Sequence, residues 1–296
     1  MKILLVLEFI GLTAAAVWKH DWFTAAAGAL IPAAALLRAF AVWGKERRTT
    51  IIDAAAVLEG FLLAWQLFTS NRPLLNPVYF PPPNTVLRFF FIELKDMVHG
   101  MFSSLYLLGT AYLLSLVTAI PCGLLVGSSP RLRNAADPFS KVLSAIPSIV
   151  YIPYAIALLP GFRAASIFVI WSGAFWPIFV NTVAGVVNIP ETLLDSARML
   201  HLKRRAFVFH VLLPGAMPSI LTGASLSLVF SFLLLTAAEQ IGATEGLGWY
   251  VKDRATFADY ARVIDGIIFI GIVIVTISAG FKRIEKRILR YRETAQ

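Results

Sequence analysis

The chain has 296 residues, 58% of them hydrophobic and only 15% charged, with a formal net charge of +9. A soluble globular domain carries about a quarter charged residues, so this composition points instead to an all-α polytopic membrane protein. Spans of about 20 residues use up most of the length and leave no room for a separate soluble domain, and a single cysteine, Cys122, excludes an intrachain disulfide and reads as a small buried apolar residue.

Residues 3–18 form a short apolar stretch interrupted by Glu8. Ala14-Ala15-Ala16 would suit a cleavage site, but an acid inside the run and a single leading Lys2 favour a retained span over a secretory signal. Residues 22–43 form a second span carrying Arg38, with Trp22 and Trp43 at the two interfaces. Residues 1–50 thus read as an N-terminal hairpin preceding a membrane core, 51–296. The third span, 51–68, holds Glu59. Five prolines between Asn71 and Pro83 mark an extended loop. The mixture of phenylalanines and charges over 84–99 suggests a helix lying at the membrane surface. Further spans are expected at 101–126, 136–159, 164–187, 218–241 and 264–281, giving about eight transmembrane helices in all. The segment 242–261 is a loop with a short helix, and the tail from Lys282 is a basic amphipathic helix end.

Between the spans lies a polar island, residues 190–218. Pro190 suits a first helical turn, and Glu191 complements the positive end of the helix dipole. Leu193, Leu194, Ala197 and Leu200 recur at helical spacing and mark one apolar face. After His201 the run Lys203-Arg204-Arg205 opens a second short helix, expected to close before Pro214. Two short helices joined by a turn cannot span a bilayer, so they form a knob on its surface. With this knob in the cytoplasm, lysine and arginine are in roughly two-to-one excess on its side of the membrane, which sets the orientation with both termini inside. That distribution also explains the positive charge without a nucleic-acid partner.

Chemistry is sparse. The chain contains no G-x-x-x-x-G-K phosphate loop, no H-E-x-x-H and no cysteine–histidine cluster, so neither ATP hydrolysis nor a metal site is expected on it. His20, His99, His201 and His210 fall in loops or near interfaces. Among the charges within spans, Glu8 and Arg38 lie roughly 9–11 Å, and Glu59 about 12 Å, from the cytoplasmic end by helical rise. These coinciding depths suggest a structural pairing of Arg38 with Glu8 or Glu59, clipping the hairpin together or to the core. Asp53, Glu239 and Asp265 sit near span edges. Candidates for a solute path on the core spans are Trp171, Ser172, Trp176, Asn181, Ser227 and Ser231, with Thr182 and Ser225 beside them.

The polar island also carries a resemblance. Permease subunits of ATP-binding-cassette importers share a cytoplasmic loop of pattern E-A-A, three residues, G, about nine residues, I-x-L-P. Here Asp195-Ser196-Ala197, His201 and Val211-Leu212-Leu213-Pro214 occupy those places. The flanking stretches Ser129-Pro130-Arg131-Leu132-Arg133, Ala145-Ile146-Pro147, Phe175-Trp176-Pro177-Ile178, Ile241-Gly242-Ala243 and Gly246-Leu247-Gly248 resemble the nitrate, sulfonate and taurine branch. His201 departs from the usual glycine, which supplies a left-handed conformation in such a turn; histidine is among the residues that tolerate it.

The resemblance implies a six-helix core with two added N-terminal helices, in the bacterial inner membrane. It implies a second permease copy, two cytoplasmic ATPases carrying ATP and Mg, and an extracytoplasmic solute-binding protein. Glu191, Leu194, Asp195, Ala197, Arg198, Leu200 and His201 would couple to the ATPase, with Ala197 and Leu200 packing in its groove. The substrate it implies is a small organic or inorganic anion. The competing reading is a self-sufficient, ion-coupled secondary transporter, which needs converging intramembrane charges.

Overall fold

The computed structural model describes residues 76–289 and a set of positions between 54 and 69, and a run of prolines leads into the helix that opens at Pro83. The expected hairpin with Glu8 and Arg38, and Glu59 of the third span, lie outside the described residues, as does the pairing proposed among them. Of the third span, residues 60–62 and 64–66 are helical. Among the described residues there is no strand.

Among the described residues from Pro83 onward, the α-helices in chain order are α1 (Pro83–Ile92), α2 (Leu94–Gly127), α3 (Pro130–Ala145), α4 (Ile152–Leu158), α5 (Phe162–Val187), α6 (Glu191–Met199), α7 (Arg204–Phe207), α8 (Leu213–Gly242), α9 (Leu247–Thr256) and α10 (Tyr260–Ile288). Four stretches of the described residues are long and apolar enough to cross a membrane: α2, α5, α10, and the run Arg204–Gly242 that ends in α8. They correspond to the spans expected at 101–126, 164–187, 264–281 and 218–241.

The span expected at 136–159 is not one straight helix. The two segments Pro130–Ala145 and Ser148–Leu158 meet at 70°. Proline disfavours the helical conformation in the residue before it, and Ile146, ahead of Pro147, is extended at φ −78°, ψ 116°. A second correction concerns Pro214. The short helix after His201 does not close there but runs through a π turn, Val208–Leu212, into α8. Pro214 lacks an N–H, and the widened turn falls where the regular ladder loses that donor.

The chain divides into two compact units. One comprises Met1–Asp96 and Val251–Ile268. Within it Glu93, directly after α1, accepts hydrogen bonds from Arg254 at 3.1 Å and Arg262 at 2.8 Å. The Arg262 guanidinium also lies 4.2 Å from the centre of the Phe89 ring and pairs with Asp259. The Glu93 side chain is only 10% exposed; stripping a carboxylate this buried of its partners costs about 3–5 kcal/mol.

The other unit comprises Met97–Tyr250 and Phe269–Gln296. Its centre is the seam between α5 and α8. Lipid supplies no hydrophobic drive for helices to associate, so close backbone approach through small residues does that work. A Cβ on Gly223 would stand 2.7 Å from the Pro177 carbonyl oxygen, and one on Gly123 of α2 would stand 2.6 Å from Thr182 Cβ. Leu124, Val186, Ile189, Leu212, Ala216 and Ile220 form an apolar cluster at one end of this seam. The Tyr112 hydroxyl adds a cross-helix bond to the Ala224 carbonyl at 2.8 Å. Cys122, read as buried, is exposed on α2.

Filling the seam should therefore destabilise the fold. Gly223→Ala is expected to cost about 1–3 kcal/mol by overpacking and to lower the thermal midpoint in detergent. Gly109→Ala, where a Cβ meets nothing within 4 Å, should match or exceed the parent. Equal midpoints for the two variants would contradict the packing.

Candidate functional site

The connection between α5 and α7 carries the loop singled out by sequence. Pro190 caps α6, Glu191 lies in its first turn and Arg198 in its last, each sign complementing the dipole. Asp195 and Arg198 pair at 2.8 Å, both well exposed. The helix ends at Leu200, and His201 then takes φ +47° while its N–H donates to the Arg198 carbonyl at 3.0 Å. The left-handed turn normally given to glycine is thus made by histidine.

The apolar stripe of α6 is divided. Leu194 packs against the cluster of Leu124, Val186 and Leu212, and Ala197 is 5% exposed. Leu193, Met199 and Leu200 face outward, with Met199 82% and Leu200 72% exposed. Ala197, expected to pack in a partner's groove, is instead buried within this chain, where it lines a cavity beside α6. Met199, which the periodicity did not single out, is the most exposed apolar side chain of the loop; its place in the last turn beside Leu200 was the available signal.

A cavity of about 460 Å³ lies between the α3–α4 bend, α5 and α8. Of the six path candidates, Trp176 and Asn181 line it, together with Ser148, Gly173 and Phe230. The remaining four do not. The Trp171 indole donates to Thr118 at 3.0 Å and the Ser172 hydroxyl to the Val169 carbonyl at 2.9 Å. Ser227 and Ser231 are fully buried and donate to carbonyls of their own helix, as does Thr182. Ser225 donates to Glu285 at 3.3 Å. Ser148 was not foreseen, because the bend that brings it to the cavity was read as a continuous span. Every lining residue is uncharged.

Glu239 lies in the last turn of α8, near the span's end as expected, and is fully buried. Its Oε1 accepts the Ser104 hydroxyl at 2.5 Å and its Oε2 the Gly248 N–H at 2.7 Å, while the Leu247 N–H donates to Ser104 at 2.9 Å. Gly246 takes φ +121°, and a Cβ there would lie 2.5 Å from the carboxylate. The Gly246-Leu247-Gly248 stretch is thus a backbone cradle for a buried acid. On the other side of the same loop Glu245 accepts from Ser103 at 3.0 Å and Arg163 at 3.3 Å. Asp265 of α10 is also fully buried, and its oxygens have no hydrogen-bond partner among the described residues.

Among the described residues no group of three or more His, Cys, Asp or Glu is placed to hold a metal ion. What the arrangement offers is mechanical: a surface helix with exposed apolar side chains, joined at each end to the helices that wall a cavity. If His201 serves only its backbone conformation, His201→Gly should match or raise the thermal midpoint in detergent, and His201→Val should cost about 1–2 kcal/mol of left-handed strain in the turn. A large loss of stability with glycine would show that the imidazole itself makes a contact.

Residues 119–290 match the family described as binding-protein-dependent transport system inner membrane component. The bicarbonate transport system permease protein of Synechocystis is 30% identical over 82% of this chain and 91% of its own length. The nitrate import permease protein of Leptolyngbya laminosa is 34% identical over 63% of this chain and 67% of its own. An inward-facing structure of the MetNI methionine ABC transporter superposes with a TM-score of 0.58 at 20% identity, covering 66% of this chain and 97% of that one, and so shares the fold. The chain belongs to the binding-protein-dependent inner membrane components and is a permease of the ATP-binding-cassette importer class, in its nitrate, sulfonate and taurine-type branch.

Proposed function

We propose that two copies of this chain form the solute path of an importer and that α6 transmits the motion of cytoplasmic ATPase subunits to it. The observation that carries this reading is connectivity. α6 lies between α5 and the run into α8, and those two helices supply Gly173, Trp176, Asn181, Phe230 and Leu234 to the cavity wall. A displacement of α6 pulls on both, and packed seams switch between discrete arrangements rather than deform continuously.

Leu193, Met199 and Leu200 then enter a groove on the ATPase, with Glu191, Asp195 and Arg198 at the rim, while Ala197 and Leu194 tie the helix to the permease. ATP and Mg belong to the ATPase; no cofactor is assigned to this chain. A solute-binding protein delivers the substrate from the opposite side, both termini are cytoplasmic, and the membrane is the bacterial inner membrane. The relatives named for bicarbonate and nitrate support a small anion as substrate. Neutral donors such as Ser148 and Asn181 suit an anion in transit, since a path must bind weakly enough to release.

The ion-coupled alternative needs converging ionisable groups within the bundle. Glu239 is instead held by Ser104 and a backbone N–H, which suits a structural anchor. Met199→Glu should leave the permease folded, because that side chain is exposed, yet abolish co-purification of the ATPase and solute-stimulated ATP hydrolysis. Hot-spot truncations in interfaces cost about 2–4 kcal/mol, and a buried charge costs no less. Full stimulated activity in Met199→Glu would sink the docking assignment.

A further inference from the structure

Beside α6 lies a second cavity, of about 820 Å³, whose wall includes Arg133, Arg198, Arg204 and His201 against the single acid Glu191. Arg198 is partly neutralised by Asp195. Arg133 and Arg204 make no ion pair with a described residue. Much of the remaining lining is apolar, with Val187, Leu202 and Phe207 among it. Gly127 and Val187, the last residues of the spans α2 and α5, also line it, so the cavity opens at the level where helices leave the membrane.

We propose that this cavity binds the phosphate headgroup of an anionic phospholipid, with an acyl chain against the apolar lining. Guanidinium groups match phosphate geometry through paired N–H donors, and basic pockets at the cytoplasmic ends of spans take anionic headgroups. The combination of two uncommitted arginines with an apolar lining at the interface distinguishes a lipid from a free phosphate, which has no use for that lining. Because α6 forms part of the wall, the bound lipid braces the coupling helix from its flank. The assignment rests on α6 lying at the membrane surface and not on what solute is carried.

The test is lipid binding to the intact permease–ATPase complex, measured by native mass spectrometry during titration with phosphatidylglycerol, phosphatidylcholine or inorganic phosphate. One tightly held phosphatidylglycerol per permease is expected, with phosphatidylcholine weaker. At about 1 kcal/mol per basic residue near an anionic surface, Arg133→Gln with Arg204→Gln should weaken that site about 30-fold. Arg133→Lys with Arg204→Lys keeps the charge and should retain most of the affinity, which separates loss of the site from loss of the fold. Unchanged phosphatidylglycerol affinity in the glutamine pair, or occupancy by inorganic phosphate without any preference for the lipid, would overturn the proposal. Transport enters none of these readouts, so a failure of the importer reading would be seen separately.

Discussion

Everything functional in this unit depends on the closeness of α5 and α8. Gly223 lets the second helix approach the Pro177 carbonyl to within the space of a missing methyl, and the gap between the two helices fixes the ends of the loop that carries α6. The same two helices wall the uncharged cavity. In a membrane, where apolar burial against lipid gains nothing, such contacts are a main source of association. A seam built on missing side chains has few intermediate positions, which is the property a switching transporter needs.

The loop at the end of the seam is held by two different devices. Ala197 and Leu194 bury the inner side of α6 against the chain's own helices, leaving Leu193, Met199 and Leu200 outward. His201 ends the helix in a left-handed conformation, turning the chain back toward α7 at a cost that glycine would avoid. At the other end of α8, Glu239 fastens the loop before α9 through Ser104 and Gly248. Both ends of the helix are therefore anchored, one by packing and one by a hydrogen-bonded buried carboxyl group. On the proposed reading, motion imposed at α6 would pass along α8 instead of being absorbed at a loose far end.

Much of this was legible from sequence, and the failures have physical causes. Uniform apolar runs located α2, α5, α8 and α10, and the polar island at Glu191 identified the loop, because periodicity and composition are local properties. The bend at Ile146–Pro147 was missed because one span was drawn through Pro147; the signals were steric, in the residue before proline, and compositional, in the polar Pro130–Ala145 ahead of the apolar Ser148–Leu158. The face of α6 was read correctly as apolar, but a stripe does not say whether its own chain or a partner covers it, and Ala197 proved to be covered from within. Ser227 and Ser231, named as path candidates, are fully buried with hydroxyls bonded to their own helix carbonyls, as hydroxyls in apolar helices commonly are. Glu239 was placed correctly near a span's end, but its burial was not legible, because its partner Ser104 is 135 residues away, a separation no local pattern reveals. Cys122 was assigned to the interior by residue type alone and is exposed.

The central claim is that the outward face of α6, and not its inward face, meets the ATPase. Site-directed cross-linking addresses it directly, since Cys122→Ser removes the only native thiol. In that background Met199→Cys should form a covalent link, through a short bifunctional thiol reagent, to a cysteine placed in the co-expressed ATPase groove, while Ala197→Cys should not. Cross-linking at Ala197→Cys with none at Met199→Cys would contradict the account.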